Sequence, residues 1–109
     1  MTDETDERIA VPRHIAADHP AFAGHFPGRP LLPGALLLAD VLEALHGVPA
    51  LAACLGPTPR VNAAKFLAPV APGSDLVIAF RCAHGGVDFD VHCGATQVAK
   101  GRFDAGAAP

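Results

Sequence analysis

The segment GHFPGRPLLPGALLLADVLEALH spans residues 24–46 and changes character half-way along. Its first part, residues 24–34, holds three prolines and three glycines. Proline fixes φ and lacks an N–H, so this part cannot form a regular helix or strand. Residues 35–46 are mostly good helix formers, and Asp40 and Glu43 are their only acids. Because Pro33 suits a first helical turn and Gly47 suits a helix end, we predict a stiff loop followed by one long, buried helix.

Around this segment, apolar and polar residues alternate in the manner of β-strands. Between the helix and the next strand, residues 49–59 read as a loop with a short helical turn around Leu51–Leu55. A turn is expected over residues 69–75, which contain two prolines and a glycine. The predicted strands cover residues 8–15, 60–68, 76–83, 87–93 and 96–103.

The clearest hairpin joins residues 76–83 to residues 87–93. A two-residue turn at Gly85-Gly86 would place Phe80 opposite Val91, Cys82 opposite Phe89 and Arg81 opposite Asp90. One face of both strands is then apolar and the other is polar. The apolar side chains of the two strands therefore fall on the same face, which indicates an antiparallel sheet.

The order of the elements predicts an α+β fold, in which antiparallel strands cover one long helix. The 109 residues are enough for one domain, and we assign it to residues 8–103. Residues 1–7 are expected to be a disordered N-terminal tail, and residues 104–109 a C-terminal tail.

Composition narrows the function. A net charge of −3 argues against nucleic acid as a partner, since phosphate binding needs a basic surplus. The apolar runs are too short to span a membrane, and the acidic start lacks a secretory signal pattern. Cys54, Cys82 and Cys93 are an odd number without a CxxC pair. We therefore expect three reduced core cysteines and a cytoplasmic protein.

His25 is the residue whose surroundings best suit chemistry. It stands in the stiff loop just before the helix, whose first peptide groups include Gly34. A helix start offers unpaired N–H groups that can polarise a carbonyl, while an imidazole beside it can act as a base. A structural loop histidine is the alternative on these grounds alone. His14, His19 and His25 are spaced by five and six residues, which is not a compact metal-ligand pattern, and no metal is expected.

Residues 24–34 resemble the GHFPxxPxxPG signature of the 3-hydroxyacyl-[acyl carrier protein] dehydratases, with every fixed position matched and no gap. Residues 64–76 resemble the family's second block, AKFxxPVxPGDxL, except that Ser74 replaces its Asp. The resemblance implies the hotdog fold, a curved antiparallel sheet wrapped around one long central helix.

The resemblance also implies an activity and a partner. In this family the histidine, here His25, removes the α-proton of a 3-hydroxyacyl thioester, and the backbone N–H at the helix start, here Gly34, holds the thioester carbonyl. The substrate is carried by acyl carrier protein or coenzyme A in fatty acid biosynthesis, with no cofactor. The site lies between subunits, so a homodimer or a higher homo-oligomer is expected.

One position departs from the family. The family's helix carboxylate, which the dimer partner contributes and which assists departure of the hydroxyl, stands fourteen residues after the histidine, where this chain has Ala39. Asp40 follows about 100° round the helix, and Glu43 lies about 40° round and 6 Å further along. We take both as candidate catalytic carboxylates. Asp40 could instead be a surface or interface charge, and Glu43 a buried group paired with a basic residue. An acyl thioesterase and a non-catalytic acyl-binding or partner subunit therefore remain alternatives to a dehydratase.

Overall fold

A computed structural model describes residues 8–18 and 34–106. Strand β1 comes first, two helices follow, and four strands complete the domain, so the predicted α+β class is confirmed. The predicted tail at residues 1–7 lies outside the described residues. The elements are β1 (Ile9–His14), α1 (Gly34–His46), α2 (Pro49–Leu55), β2 (Arg60–Phe66), β3 (Asp75–Ala83), β4 (Gly86–Cys93) and β5 (Thr96–Asp104).

The five strands form one antiparallel sheet in the order β1-β3-β4-β5-β2. Strands β3, β4 and β5 are neighbours in both sequence and space. Strands β1 and β2, which flank the two helices in sequence, lie at the opposite edges of the sheet. The helical segment therefore connects one edge of the sheet to the other.

The core forms where α1 lies against one face of the sheet. Leu37, Val41 and Leu45 point inward from the helix, and each is at most 3% exposed. They belong to the same buried cluster as Ile78 and Phe80 of β3. The period-2 alternation of the strands supplies the other half of the core, since every second side chain faces the helix. Further members of the cluster are Val87, Phe89, Val91 and Phe103.

The hairpin of β3 and β4 has a different register from the predicted one. Ala83 pairs with Gly86, and the two turn residues are His84 and Gly85. Both have positive φ, 51° and 75°, as a type I′ turn requires. The predicted pairs were therefore wrong by two residues. A slip of two leaves every side chain on its predicted face, which is why the apolar face is correct.

The corrected pairs follow from this turn. Phe80 lies opposite Phe89, Cys82 opposite Val87, and Arg81 opposite Asp88. The sequence predicted that Arg81 would pair with Asp90. In the structure it pairs with Asp88 instead, with 3.5 Å between Arg81 Nη2 and Asp88 Oδ2.

Helix α1 is buried on one side, whereas the sequence predicted burial nearly all round. Ala35, Leu36, Ala39, Glu43 and His46 are exposed, and they follow a helical spacing along the opposite side. We call these five residues the open face of α1. One sheet covers only one side of a helix, so no element among residues 8–18 and 34–106 covers this face.

The short helical turn expected around Leu51–Leu55 is the helix α2. Pro49 stands in its first turn, and Leu51 and Leu55 are each 1% exposed. Helix α2 contacts α1, β3 and β4. It closes the core beyond the C-terminal end of α1.

Two of the three cysteines are not reduced, contrary to the sequence expectation. Cys54 of α2 and Cys82 of β3 form a disulfide, and Cys93 remains a free thiol. The two residues are separated by 28 positions and no CxxC spacing links them, so sequence spacing gave no sign of the bond. The helix α2 is thereby tied covalently to the sheet.

Candidate functional site

The two sequence blocks that carry the family resemblance meet at the start of α1. Gly34 is the first residue of the helix, and the ring of Phe66, at the end of β2, lies over it. A Cβ added at Gly34 would stand 3.0–3.1 Å from three atoms of that ring. Glycine therefore lets the aromatic ring approach the helix start, where the first backbone N–H groups have no acceptor within the helix itself.

The predicted base, His25, lies outside the described residues, together with the rest of residues 19–33. Its role stays a prediction. Of the predicted site residues, the structure places Gly34, Asp40 and Glu43, all on α1.

Asp40 and Glu43 are brought together by Arg13 of β1. The Nη2 atom of Arg13 donates to Glu43 Oε1 at 2.6 Å and lies 3.7 Å from Asp40 Oδ1. Carboxylates three residues apart on a helix repel each other, and a guanidinium between them offsets that repulsion. The edge strand and the open face of α1 are linked by this ion pair.

The exposures of these groups differ. The Glu43 side chain is 74% exposed, whereas those of Asp40 and Arg13 are 23% and 27% exposed. The expectation of a basic partner for Glu43 was right, and the expectation of burial was wrong. An exposed carboxylate with one oxygen taken by arginine keeps its second oxygen available.

Ala39 lies on the open face of α1, one helical turn before Glu43. Helix side chains lean toward the N-terminus, so the Glu43 side chain leans toward the turn that contains Ala39. The helix therefore presents a methyl group where the resemblance implies a carboxylate, with Glu43 as the neighbouring acid.

Arg13 was missed in the sequence, although a signal for it was present. Ile9, Val11 and Arg13 occupy the inward positions of β1, so an arginine follows two aliphatic residues on the face that looks toward the helix. A charge at such a position needs an acidic partner. The helix offers only Asp40 and Glu43, so the pairing could have been predicted.

Within residues 8–18 and 34–106, no three His, Cys, Asp or Glu side chains come together as a metal-binding group. In the same residues no single helix has the length and hydropathy of a membrane span; α1 and α2 reach that length only together, with a bend of 109° between them.

Comparison with known families assigns the chain. The model of the ApeI-like dehydratases, described as ApeI dehydratase, matches residues 1–102. The chain belongs to this family. The matched range includes residues 24–34 and 64–76, the two blocks that carry the resemblance to dehydratases.

Among curated proteins, a 3-hydroxyacyl-[acyl-carrier-protein] dehydratase FabZ of Verminephrobacter eiseniae is 36% identical over 85 residues. The match covers 70% of this chain and 55% of that protein. A second FabZ, from an Anaeromyxobacter strain, is covered to 51%. The chain thus spans about half the length of the curated relatives it matches.

Solved structures identify the fold. The dehydratase heterocomplex ApeI:P from Xenorhabdus doucetiae superposes with a TM-score of 0.72 at 19% identity, covering 94% of this chain and 90% of that one. The fluoroacetyl-CoA thioesterase FlK superposes with a TM-score of 0.63 at 17% identity, covering 94% and 84%. These likenesses confirm the predicted hotdog fold.

Proposed function

We propose that this chain is a 3-hydroxyacyl-thioester dehydratase, a hydro-lyase that removes water to form an enoyl thioester. The observation that carries the proposal is the meeting of the two motif blocks at Gly34 and Phe66. Residues far apart in sequence converge on one helix start, and that start adjoins the segment that contains His25. Family membership supports the same reaction.

In the proposed reaction, the Gly34 N–H donates to the thioester carbonyl, where negative charge develops as the α-proton leaves. His25 accepts that proton from the α-carbon. The electron pair forms the new double bond, and the hydroxyl on the β-carbon departs with a proton as water. The chain thus needs a group that delivers this second proton.

Asp40 and Glu43 are the candidates for that group on this chain. Glu43 lies on the same face of α1 as Ala39, and Arg13 holds one of its oxygens. We therefore assign the open oxygen of Glu43 to the hydroxyl of the substrate: Glu43 reacts as the carboxylic acid and gives its proton to the departing hydroxyl, and the α-proton held by His25 is then returned to Glu43 through solvent.

A second candidate function rests on Ala39. The methyl group on the open face of α1 supports a partner-subunit reading, in which another hotdog chain supplies the carboxylate. The third candidate is an acyl thioesterase. The hotdog fold can support that activity as well, but a thioesterase releases a free thiol instead of forming an enoyl thioester.

We propose a homodimer or higher homo-oligomer. Leu36, Val61, Phe66 and Leu67 are between 40% and 52% exposed, and they lie on α1, on the edge strand β2 and directly after it. Apolar side chains in this number beside an uncovered helix face favour association with a second copy. Light scattering that reports a monomer at micromolar concentration would contradict a site shared between subunits.

A cytoplasmic location also stays a proposal, with acyl carrier protein or coenzyme A as the carrier. The sequence analysis inferred this location from three reduced cysteines. Because disulfides are uncommon in cytosolic proteins, the Cys54–Cys82 bond takes away that support. Thiol labelling in intact cells would decide whether the bond forms there.

The decisive experiment is product analysis with a 3-hydroxyacyl thioester. A dehydratase yields the enoyl thioester without free thiol, whereas a thioesterase releases thiol. His25→Ala should lower turnover by about 10²–10⁴-fold. His46→Ala, at the other end of α1, is the matched control and should keep parental turnover. Full activity in His25→Ala would remove His25 from the mechanism.

Ala39→Glu tests the missing carboxylate. If the site has lost only that group, the substitution should raise turnover, by up to about 10²–10⁴-fold. Glu43→Gln and Asp40→Asn are its counterparts. Loss of activity in Glu43→Gln, with no gain in Ala39→Glu, would identify Glu43 as the working acid. If the parent and all three variants are inactive until another hotdog chain is added, the partner-subunit reading is correct.

A further inference from the structure

The backbone around Arg13 is fixed by strand pairing and burial. Arg13 is the Cα partner of Leu76, which is 1% exposed, and two residues later Ile15 is 2% exposed. The N–H of Ile15 donates to the carbonyl of Ser74 at 2.9 Å, and the carbonyl of Ile15 accepts from the N–H of Gly73 at 2.8 Å. Arg13 therefore extends toward α1 from a point that the sheet holds in place.

The helix that carries the two carboxylates is fixed as well. Asp40 precedes Val41, which is fully buried, and Glu43 precedes Ala44, which is 4% exposed. These buried neighbours set the rotation of α1 about its axis, and they set the directions in which Asp40 and Glu43 leave the helix. The contacts of Arg13 thus join two elements that the core already holds.

The two carboxylates make different contacts with the guanidinium. Glu43 Oε1 accepts a hydrogen bond from Arg13 Nη2 at 2.6 Å, whereas Asp40 Oδ1 lies 3.7 Å from the same atom, too far for a hydrogen bond. The Asp40 side chain is the less exposed of the two, so water screens its attraction to Arg13 less. Asp40 therefore attracts the guanidinium, while Glu43 receives its directed hydrogen bond.

We propose that Arg13 and Asp40 are positioning residues for Glu43: Asp40 holds the guanidinium of Arg13, and Arg13 holds the carboxyl group of Glu43 on the open face of α1. Asp40 leaves the helix about 100° round from Ala39, so it acts through Arg13 and does not contact the substrate. An exposed glutamate samples several rotamers, and a fixed partner raises the fraction of time that it spends in one orientation.

The inference rests on the proposed function, in which Glu43 is the acid. In that step the O–H bond of the Glu43 carboxyl group breaks, and the proton forms a new O–H bond on the hydroxyl that leaves the β-carbon as water. Negative charge develops on Glu43 as the proton moves. The guanidinium of Arg13 stabilises that charge, so the contact that orients the carboxyl group also favours the transfer.

Steady-state kinetics of the full chain on a short 3-hydroxyacyl thioester test the arrangement. Arg13→Gln should lower kcat roughly tenfold or more and leave KM within about twofold, because the contact acts in proton transfer and not in substrate binding. Arg13→Lys keeps the charge without the planar fork and should restore part of kcat. Asp40→Asn should lower kcat less than Arg13→Gln does, and it should have no further effect in the Arg13→Gln chain.

Arg81→Gln is the matched control, because Arg81 also pairs with an aspartate but lies on the polar face of the β3–β4 hairpin. It should keep the parental kcat, and an equal loss there would overturn the inference. Unchanged kcat in Arg13→Gln would overturn it too. A higher kcat in that variant would mean that Arg13 keeps Glu43 ionised and withholds its proton. An additive loss from Asp40→Asn in the Arg13→Gln chain would assign Asp40 a direct contact with the substrate instead.

Side-chain NMR of Glu43 separates the positioning from the reaction, because it needs no turnover. Three-bond couplings should report one dominant rotamer in the parent, and averaging among rotamers in Arg13→Gln. If Arg13→Gln does not fold, Arg13→Lys gives the same comparison, with intermediate averaging and intermediate kcat expected. Averaged couplings in the parent would overturn the inference even in an active enzyme. One fixed rotamer in a chain without turnover would sustain the positioning of Glu43 and contradict only the proposed reaction.

Discussion

The two ends of α1 are built differently. At the C-terminal end, Leu45 is fully buried, α2 packs beyond it, and the Cys54–Cys82 disulfide ties α2 to the sheet. At the N-terminal end, Leu36 and Phe66 are 40% and 49% exposed, and Phe66 lies over Gly34. We call these the closed end and the open end. The closed end is packed against the rest of the core, whereas the open end has exposed apolar side chains.

This difference separates stability from function along one helix. Groups that must contact a substrate or a second subunit cannot also be fully packed against their own chain. The closed end therefore has to supply the stability that the open end gives up. Substitutions at the closed end should lower the free energy of unfolding, and those at the open end should lower activity or association.

Leu45→Ala should produce the largest loss of stability. Deleting most of a fully buried leucine removes its transfer free energy and leaves a cavity, at a cost of about 2–5 kcal/mol. Leu36→Ala is the matched change at the open end and should cost less than about 1 kcal/mol. Urea unfolding measures both. If Leu36→Ala costs as much as Leu45→Ala in dilute protein, the two ends do not differ as described.

Reduction of the Cys54–Cys82 disulfide should cost nearly as much. The bond closes a loop with a sequence separation of 28, and removing such a constraint typically costs about 3–4 kcal/mol. Thermal unfolding with and without reductant measures the effect. Cys93→Ser, which alters the free thiol, should keep the full sensitivity to reductant. Detection of three free thiols in the unreduced, denatured chain would refute the bond.

Gly34→Ala should change stability little and activity more. Alanine is the better helix former by about 1 kcal/mol, which offsets the displacement of the Phe66 ring by the new methyl group. The displaced ring would crowd the helix start, and a small misplacement there should lower turnover by roughly tenfold or more. Adding Phe66→Leu should restore part of the turnover. Parental turnover in Gly34→Ala alone would separate Gly34 from substrate binding.

The smallest expected effect concerns acid stability at the sheet corner where β2 begins. Hydrogen bonds from Asn62 and Arg102 lower the pKa of Asp104 below its usual range. The ionised form is therefore favoured in the folded state, and the contribution is present above the unfolded pKa of about 4. It is lost as pH falls through the lower folded pKa. Asp104→Asn should flatten the decline of the melting temperature below about pH 4. An unchanged decline would contradict this contribution.

Sequence reasoning recovered the elements and faces of this fold because both are encoded locally. Alternation over residues 76–93 defined the apolar face even though the turn was misplaced, since a shift of two residues preserves the face. The turn itself was missed because His84 takes a positive φ, a conformation that glycine adopts more readily. The turn was predicted at Gly85-Gly86 because two successive glycines are common in two-residue hairpin turns.

The candidate site was recovered only in part, for a different reason. Gly34, Asp40 and Glu43 could be named because they follow the motif within one continuous segment. Their partners Arg13 and Phe66 come from strands at opposite edges of the sheet. The disulfide likewise joins α2 to β3. Such contacts depend on the strand order, which a single sequence does not specify.

The strand order also has a consequence during synthesis. Strands β3, β4 and β5 form a meander from consecutive segments, whereas β1 pairs with β3 across 61 residues at His14 and Asp75. The strand that leaves the ribosome first therefore has no partner until the second half of the chain has emerged, and β2 must wait for β5. We expect the meander to lead folding and the helices to dock on it, which high φ-values in β3 and β4 and low ones in β1 would reveal. A chain interrupted before β5 would leave β2 without its partner and one side of β4 unpaired, so its nascent form should depend on chaperones more than its small size suggests.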